Sequence, residues 1–405
     1  MPFEPILRFA VMSDVHYDER MLYVRERFQK AMETIYRYCD DSDYKALDAL
    51  YVVGDFANLG WRSQMEMFKA DCDRFVKADT MLVVTLANHE LHYVESDQES
   101  MKNFQEIFQM DMDRHEVLKG YHFISLSTMK DKGPWHDSFD ENKRNFLKEK
   151  LEEARQDGGN RPIFVFQHPG ISGTVAMGLY GNNELTEILL NYPQVIDFSG
   201  HSHAATNHPR EIHQKHFTSV STGALLGIER TDQIVTTYMT TPKGADGKTY
   251  PPAAHMLVVE VDAQSTVRIR RLDVLAGDFF ENDSILEQCW DRTKHRYTLA
   301  RAKTVPNPYF EDGTELQLNK TEDTLQLTFP RAKSEQERVQ EYCTRVLDEK
   351  GTLILQKTVP SDYHVLHQQE QVSITLEGQF GDHGRVCVAA CGFWDNYSQE
   401  ICANF

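Results

Sequence analysis

Residues 6–16 read Ile-Leu-Arg-Phe-Ala-Val-Met-Ser-Asp-Val-His, an apolar run that ends directly in an Asp-Val-His triplet. A short apolar run of this length predicts a buried β-strand. Similar runs then alternate with segments whose apolar residues recur at helical spacing. Strands are predicted at residues 6–12, 50–53, 81–86, 121–126, 163–166 and 195–198, and helices at 22–38, 68–76, 99–109, 138–155 and 184–190. This alternation indicates an α/β protein.

The pattern changes in the second half of the chain. Strands joined by short turns are predicted at residues 217–221, 234–240, 256–261 and 267–272, followed by a helix at 279–290. A Val-Pro-Asn-Pro stretch at residues 305–308 marks a boundary, because such residues end regular elements. Beyond it, about seven short apolar segments predict a C-terminal β-sandwich.

Polar side chains follow five of the predicted strands at the point where each strand ends. Loops at the carboxyl ends of the strands of an open α/β sheet converge on one crevice. We therefore expect seven potential metal ligands to meet in one place, namely Asp14, His16, Asp55, Asn88, His168, His201 and His203.

The donor atoms of these residues are carboxylate oxygens, imidazole nitrogens and one amide oxygen. Such a set suits Mn, Fe or Zn and does not suit Cu(I) or an iron–sulfur cluster. Seven ligands are too many for one tetrahedral ion, and they suit two ions that share a bridging carboxylate about 3.5–4 Å apart. Such a pair lowers the pKa of bound water toward about 7 and stabilises in-line displacement at phosphorus. Each motif alone is weak evidence, and their conjunction carries the prediction of a centre with two divalent or trivalent ions.

Together the motifs resemble the calcineurin-like metallophosphoesterase family. The Asp-x-His, Gly-Asp, Asn-His-Glu, lone His and Gly-His-x-His motifs at residues 14–16, 54–55, 88–90, 168 and 200–203 carry the resemblance, which covers residues 6–272. It implies a catalytic domain at residues 1–300 with a four-layered α/β/β/α sandwich. It further implies that Asp14, His16 and His203 hold one metal, that Asn88, His168 and His201 hold the other, and that Asp55 bridges them. His89 then corresponds to the family's catalytic histidine beside the metals.

The chain departs from the family pattern at several positions. Ala87 replaces the usual glycine, which should perturb the turn only modestly, since glycine matters most at positive φ. Asn58 stands where purple acid phosphatases carry a metal-bound tyrosine. Phosphoprotein phosphatases carry arginines at the positions of Leu59 or Gly60 and of Leu91, and Arg62 is one or two positions too far along the chain to replace the first. The missing arginine clamp slightly favours phosphodiesters over monoesters as substrates.

These residues predict hydrolysis of phosphate esters by a metal-bridging hydroxide. His89 is expected to donate a hydrogen bond or a proton to the leaving oxygen, with its ring oriented by Glu90 or another carboxylate. Asn58 and His208 lie near the motifs in sequence and are candidate substrate contacts.

The C-terminal segment at residues 393–398 lies between two predicted strands and resembles the end of a fibronectin type III domain. The resemblance covers about 30 residues and implies a fibronectin type III or immunoglobulin-like β-sandwich at residues 305–405. A domain of this kind would pack against the catalytic unit, or bind a partner or a glycan.

The chain carries 43 Lys and Arg against 62 Asp and Glu, for a formal net charge of −19. This charge disfavours general nucleic-acid binding and association with anionic membranes, so the expected partner is a small-molecule phosphate ester. The 7 cysteines form no Cys-x-x-Cys pair and are expected to be reduced. The absence of a transmembrane run and of a signal-peptide pattern predicts a cytoplasmic location.

Two alternatives remain open from the sequence, a phosphatase for small monoesters or nucleotides and an inactive metal-binding scaffold. Amidohydrolases open with a His-x-His motif, whereas this chain opens with Asp-x-His. Metallo-β-lactamases require an aspartate where this chain has Ala205, so both of these classes are disfavoured.

Overall fold

The computed structural model describes residues 3–130, 137–175, 183–228 and 252–405. The chain divides into two compact units, Met1–Thr298 and Leu299–Phe405. Along the larger unit the elements are β1 (Pro5–Met12), α1 (Leu22–Asp41), β2 (Ala49–Val53), α2 (Arg62–Phe75), β3 (Met81–Thr85), α3 (Asn88–His92), α4 (Asp97–Phe108), β4 (Asp113–Leu118), β5 (Tyr121–Leu126), β6 (Met129–Lys130), β7 (Asp137–Ser138), α5 (Glu141–Gly158), β8 (Ile163–Phe166), α6 (Thr186–Leu189), β9 (Val195–Ser199), β10 (Ile212–Gln214), β11 (Thr218–Ser221), β12 (His255–Asp262), β13 (Val267–Asp273), β14 (Asp278–Phe279) and β15 (Ser284–Leu286).

Two sheets form the centre of the larger unit. In the described residues the first sheet has the order β14-β13-β12-β1-β2-β3, with β15 also paired to β13. Its strands β1, β2 and β3 run parallel, so their carboxyl ends share one edge. The second sheet has the order β10-β11-β9-β8-β5-β4, and β5, β8, β9 and β11 are parallel within it.

Aromatic side chains fill the space between the two sheets. Phe9 of β1 packs edge-on against Phe164 of β8 with ring centroids 4.8 Å apart. Tyr51 of β2 stacks on Phe166 of β8 at 3.9 Å. Aromatic pairs of this kind add stability beyond the area they bury, and here they hold the two sheets face to face.

Helices cover the outer face of each sheet. In α1 the buried residues Val24, Phe28 and Ile35 recur at helical spacing and join the core cluster that contains Met12 of β1. On the other side, Leu147 of α5 packs with residues of β5, β8 and β9. The predicted four-layered α/β/β/α fold is therefore confirmed.

Two sequence predictions for the larger unit have different outcomes. The predicted helix at residues 279–290 is wrong, because this segment contains the end of β14 and the short strand β15, which pairs with β13. Pairing with the edge of the sheet outweighs the helical spacing of its apolar residues. The strand predicted at 234–240 lies outside the described residues.

The smaller unit consists of two antiparallel sheets. Its strands are β16 (Gln317–Lys320), β17 (Thr324–Pro330), β18 (Glu341–Asp348), β19 (Leu353–Pro360), β20 (Gln371–Glu377), β21 (Gly384–Cys391) and β22 (Ile401–Asn404). The sheets have the orders β16-β17-β20 and β19-β18-β21-β22, and side chains of both sheets form one core cluster. The predicted C-terminal β-sandwich is confirmed, and its assignment as a fibronectin type III domain stays a prediction.

The expectation that all cysteines are reduced is wrong. Cys387 of β21 and Cys402 of β22 lie directly opposite each other and form a disulfide. Strand register places the two thiols together, and sequence spacing alone does not reveal this pairing. The other cysteines, which are Cys39, Cys72, Cys289, Cys343 and Cys391, are free thiols. Among the described residues, none of the helices combines the length and the apolar character needed to cross a bilayer.

Candidate metal centre

The predicted ligands lie at the carboxyl ends of strands from both sheets. Asp14 and His16 follow β1, Asp55 follows β2, and Asn88 begins α3 after β3. In the second sheet, His168 follows β8, and His201 and His203 follow β9. Because the two sheets are stacked, these loops meet at one edge of the sandwich.

Many of these residues adopt a backbone conformation that is rare for residues other than glycine. Five of them have positive φ, which are Asp14 (51°), His16 (55°), Asp55 (51°), His201 (67°) and His203 (49°). Each such residue costs about 1–2 kcal/mol. Backbone strain of this kind clusters at functional sites, where the surrounding structure maintains it.

Asp14 lies at the centre of the first group of candidate ligands. Its Oδ1 atom faces three imidazole nitrogens, His203 Nε2 at 3.1 Å, His168 Nε2 at 3.7 Å and His16 Nε2 at 3.9 Å. Its Oδ2 atom accepts a hydrogen bond from the backbone N–H of His201 at 3.0 Å. Asp14, His16 and His203 are close enough to hold one metal ion.

Asp55 connects the other two groups. It forms one candidate ion-binding group with His168 and His201 and another with His16 and His89. Its Oδ2 atom lies 3.1 Å from His168 Nε2, and its Oδ1 atom accepts a hydrogen bond from the backbone N–H of His89 at 2.9 Å. This shared position is the one expected of a bridging ligand.

His168 has a defined tautomer. Its Nδ1 lies 2.7 Å from the carbonyl oxygen of Val53, which can only accept, so Nδ1 carries the proton. In the neutral ring the lone pair of Nε2 therefore faces the carboxylate of Asp55. Two acceptors at this distance are stabilised by a cation that both can bind, and a backbone carbonyl of this kind typically orients a metal-bound histidine.

The protonation states suit metal binding. Burial would raise the pKa of Asp14, but the neighbouring His203 and His168 outweigh it and lower that pKa to about 2. Burial is likewise outweighed at Asp55, where His168 and His89 hold the pKa well below its usual value. Burial, together with His168, lowers the pKa of His201 to about 4. At neutral pH the site thus presents ionised carboxylates and a neutral imidazole at His201, the forms that bind metal ions.

Glu90 has a different role from the one expected. Its Oε2 accepts hydrogen bonds from the backbone N–H groups of Asp55 at 3.1 Å and Ala87 at 2.9 Å, and its Oε1 accepts one from Ala57 at 2.8 Å. The expectation that Glu90 orients His89 is therefore wrong, because its carboxylate joins the loops after β2 and β3. Ala87 itself has a φ of −141°, which any residue adopts, so its methyl group is accommodated there.

A backbone carbonyl orients His89 instead. The Nδ1 atom of His89 lies 2.7 Å from the carbonyl oxygen of Asn58, and the ring contacts that of His16 edge-on with centroids 4.3 Å apart. The Nε2 atom lies 4.0 Å from Asp55 Oδ2. The side chain of His89 is 16% exposed, whereas that of His168 is fully buried, so His89 is more accessible to a substrate than His168.

The two candidate substrate contacts have other partners in the structure. The Asn58 amide donates to Asp18 Oδ2 at 2.9 Å. The Nδ1 atom of His208 accepts from the backbone N–H of Arg210 at 3.1 Å and caps the short 3₁₀ helix Pro209–Glu211. Substrate contact by Asn58 and His208 stays a prediction.

Sequence reasoning missed Tyr93. This residue follows α3, its ring lies 4.9 Å from that of His89, and it is 37% exposed. The available signal was its spacing of four residues from His89, which places both side chains on one helix face. Tyr93 therefore offers an exposed aromatic surface beside the candidate metal centre.

Comparison with protein families matches the part of the chain that contains this site. Residues 7–205 match the family of calcineurin-like phosphoesterases. This part of the chain belongs to the calcineurin-like phosphoesterase family. The calcineurin-like segment contains the seven candidate ligands and His89, whereas His208 and the smaller unit lie outside it.

Comparison with solved structures finds distant similarities. A purple acid phosphatase from seeds of yellow lupin (Lupinus luteus) aligns with a TM-score of 0.47 and 13% identity, over 69% of this chain and 53% of the phosphatase. The chain thus spans about half the length of that protein. The sulfate thiohydrolase SoxB of Thermus thermophilus, in complex with glycerol, aligns with a TM-score of 0.40 and 10% identity, over 94% of this chain and 92% of SoxB. A search of curated protein sequences finds no match.

Proposed function

We propose that the larger unit is a metal-dependent hydrolase of phosphate esters, with phosphodiesters as the favoured substrates. The observation that carries the proposal is the convergence of carboxylates and imidazoles from both sheets around Asp14 and Asp55. The match of residues 7–205 to calcineurin-like phosphoesterases supports the same reaction class.

The residues at this edge fit two metal ions. Asp14, His16 and His203 would hold one ion, Asn88, His168 and His201 the other, and Asp55 would contribute to both. When bound, the ions would activate a water molecule as the nucleophile and neutralise charge on the phosphoryl oxygens. Mn, Fe and Zn all suit this donor set, so the ions must be identified by elemental analysis of the protein.

His89 is proposed as the group that protonates the leaving oxygen. The carbonyl oxygen of Asn58 can accept a hydrogen bond from Nδ1 whether or not Nε2 is protonated. The ring orientation is therefore the same before and after proton transfer, which is what a general acid requires.

Two arginines that lie close to the motifs in sequence support a diester preference. A phosphomonoester carries one more negative charge than a diester and benefits from an arginine clamp. Arg62 pairs with Glu66 and Glu106, and Arg20 pairs with Asp18. These two guanidinium groups are thus engaged by carboxylates. A small phosphomonoesterase or nucleotidase remains the second candidate.

Hydrolysis of bis-p-nitrophenyl phosphate and p-nitrophenyl phosphate with added Mn²⁺, Zn²⁺ or Fe²⁺ tests the proposal. His89→Ala should lower kcat by about 10²-fold or more while the metal content is unchanged. The exposed His367 of the smaller unit provides the matched control, and His367→Ala should keep the wild-type kcat. A fully active His89→Ala variant would remove His89 from the mechanism. Failure of the metal-loaded wild type to hydrolyse either ester would favour the inactive scaffold.

The remaining expectations stay proposals. The substrate is proposed to be a small molecule, without general nucleic-acid or membrane binding, and the smaller unit is proposed to bind a protein partner or a glycan. A cytoplasmic location also stays a prediction.

A further inference from the structure

One face of the sheet β19-β18-β21-β22 carries four cysteines. Side chains alternate along a strand, and Tyr342 and Val346 of β18 point into the core of the smaller unit. Cys343 lies between them in sequence and is therefore on the opposite face. The same alternation in β21 places Cys387 and Cys391 on that outer face, and Cys387 is joined to Cys402.

The second pair on this face consists of free thiols in close contact. The Sγ atoms of Cys343 and Cys391 are 2.9 Å apart. We propose that Cys343 and Cys391 form a redox-active dithiol that low-molecular-weight disulfides, such as glutathione disulfide, convert into a second disulfide. This site is independent of the phosphoesterase proposal.

The geometry favours a disulfide over a metal site. In the strand register Cys343 is opposite Ala389 and Cys391 is opposite Glu341, so the two thiols meet diagonally across β18 and β21. A covalent S–S bond is about 2.05 Å long, so the sulfurs must approach by less than about 1 Å. Tetrahedral zinc would hold two thiolates about 3.8 Å apart, and a closed structural site has four ligands. With Glu341, the group formed by described residues offers three.

The two thiols are suited to different steps of the exchange. Cys343 is partly exposed, whereas Cys391 is 2% exposed. A hydrogen bond from the Cys391 thiol, opposed by burial, lowers the pKa of Cys343 to about 6. The same hydrogen bond raises the pKa of Cys391. Cys343 is therefore the accessible thiolate, and Cys391 is the sheltered thiol that resolves the mixed disulfide.

The thiol–disulfide exchange with glutathione disulfide takes place in two steps. The Cys343 thiolate attacks one sulfur of glutathione disulfide, and the S–S bond breaks to release a glutathione thiolate. The Cys391 thiol then gives its proton to that thiolate and attacks the Cys343 sulfur, which releases the second glutathione as a thiolate. Two protein thiols are oxidised, and one glutathione disulfide is reduced.

Thiol mapping of the full chain tests the proposal. The protein is incubated with glutathione disulfide, quenched with acid, alkylated and analysed by peptide mass spectrometry. The wild type should give a cross-linked pair of peptides that contain Cys343 and Cys391, with no retained glutathione. In Cys391→Ser a glutathione adduct should accumulate on Cys343, and in Cys343→Ser Cys391 should remain unmodified.

Two controls separate this outcome from others. The double variant Cys387→Ser, Cys402→Ser should still form the cross-link, which excludes exchange among the four cysteines. The buried Cys72 and Cys289 should stay unmodified, which shows that the protein remained folded. A stable glutathione adduct on wild-type Cys343, equal labelling of both thiols in the single variants, or bound zinc that is lost in Cys343→Ser would each overturn the proposal.

Discussion

Removing the carboxylate of Glu90 should destabilise the larger unit and weaken metal binding at the candidate metal centre together. The side chain is fully buried and accepts hydrogen bonds from the backbone N–H groups of Asp55, Ala57 and Ala87. A buried donor left without a partner costs about 1–3 kcal/mol. Glu90→Ala leaves three such donors, so the free energy of unfolding should fall by about 3–9 kcal/mol. Water that enters the new cavity will move the result toward the lower end of this range.

The isosteric substitution sharpens this prediction. Glu90→Gln keeps one acceptor oxygen, which can accept hydrogen bonds from two of the three backbone N–H groups. The free energy of unfolding should therefore fall by about 1–3 kcal/mol, the cost of leaving the third N–H group without an acceptor. The exposed Glu95 is the control, and Glu95→Ala should change stability by less than about 0.5 kcal/mol.

Urea unfolding, fitted with a separate transition for each unit, measures these differences in free energy. Equilibrium dialysis against Mn²⁺ should show a loss of affinity of about 10–100-fold for Glu90→Gln, because substituting groups that support metal ligands has effects of this size. Equal stability of Glu90→Ala and Glu90→Gln, or a loss below about 1 kcal/mol for the alanine variant, would refute the reasoning.

Four further outcomes are expected. Gly54→Ala should lower stability and metal affinity, since its φ is +77° and a Cβ atom there would lie 2.7 Å from the ring of His168. Gly159→Ala, at a φ of +60° and a ψ of −112° with open space around it, should show a conformational cost of about 1–3 kcal/mol and unchanged metal binding in the same dialysis assay. Burial raises the pKa of Asp197 from 3.8 to about 7, so its stabilising contribution is full below pH 3.8 and is lost as the pH rises to 7. The free energy of unfolding of the wild type should therefore fall by about 4 kcal/mol over this range, and this fall should be absent in Asp197→Asn. Urea unfolding at several pH values measures the difference. Cys387→Ser opens a disulfide that spans 15 residues and should cost the smaller unit about 3 kcal/mol, measured by thermal unfolding under non-reducing conditions.

The convergence of the candidate ligands could be predicted from the sequence because each one lies within about four residues of the end of a strand. The end of a buried strand is visible as the end of an apolar run, and the topology of parallel sheets brings such ends to one edge. For Asp14 and Asp55, the local sequence and this rule are enough to predict that the two side chains lie at the same edge. The alternation of apolar periods indicates an α/β protein, whereas the four-layered arrangement is implied by the resemblance to the calcineurin-like family.

Other features depend on contacts that no local pattern encodes. The role of Glu90 requires the backbone N–H groups of two separate loops to point at one carboxylate. The Cys387–Cys402 disulfide depends on the register between β21 and β22, and a one-residue shift would have placed the thiols on opposite faces. Residues 279–290 have helical spacing in sequence, but the open edge of β13 gives the segment a strand partner.

The glycines of the motifs explain why the family pattern and the geometry coincide. A Cβ atom on Gly54 would collide with the ring of His168, and one on Gly200 would lie 2.7 Å from Asp14 Oδ2. Gly54 follows a strand of the first sheet and leaves room for His168, which follows a strand of the second. Gly200 follows a strand of the second sheet and leaves room for Asp14, which follows a strand of the first. The motif glycines therefore indicate that the two sheets approach each other closely at their carboxyl edges. Candidate ligands from both sheets need this close approach to bind the same ions. Tyr93, whose ring lies 4.9 Å from that of His89, belongs to none of the motifs, and the motifs therefore indicate the reaction class more readily than the substrate.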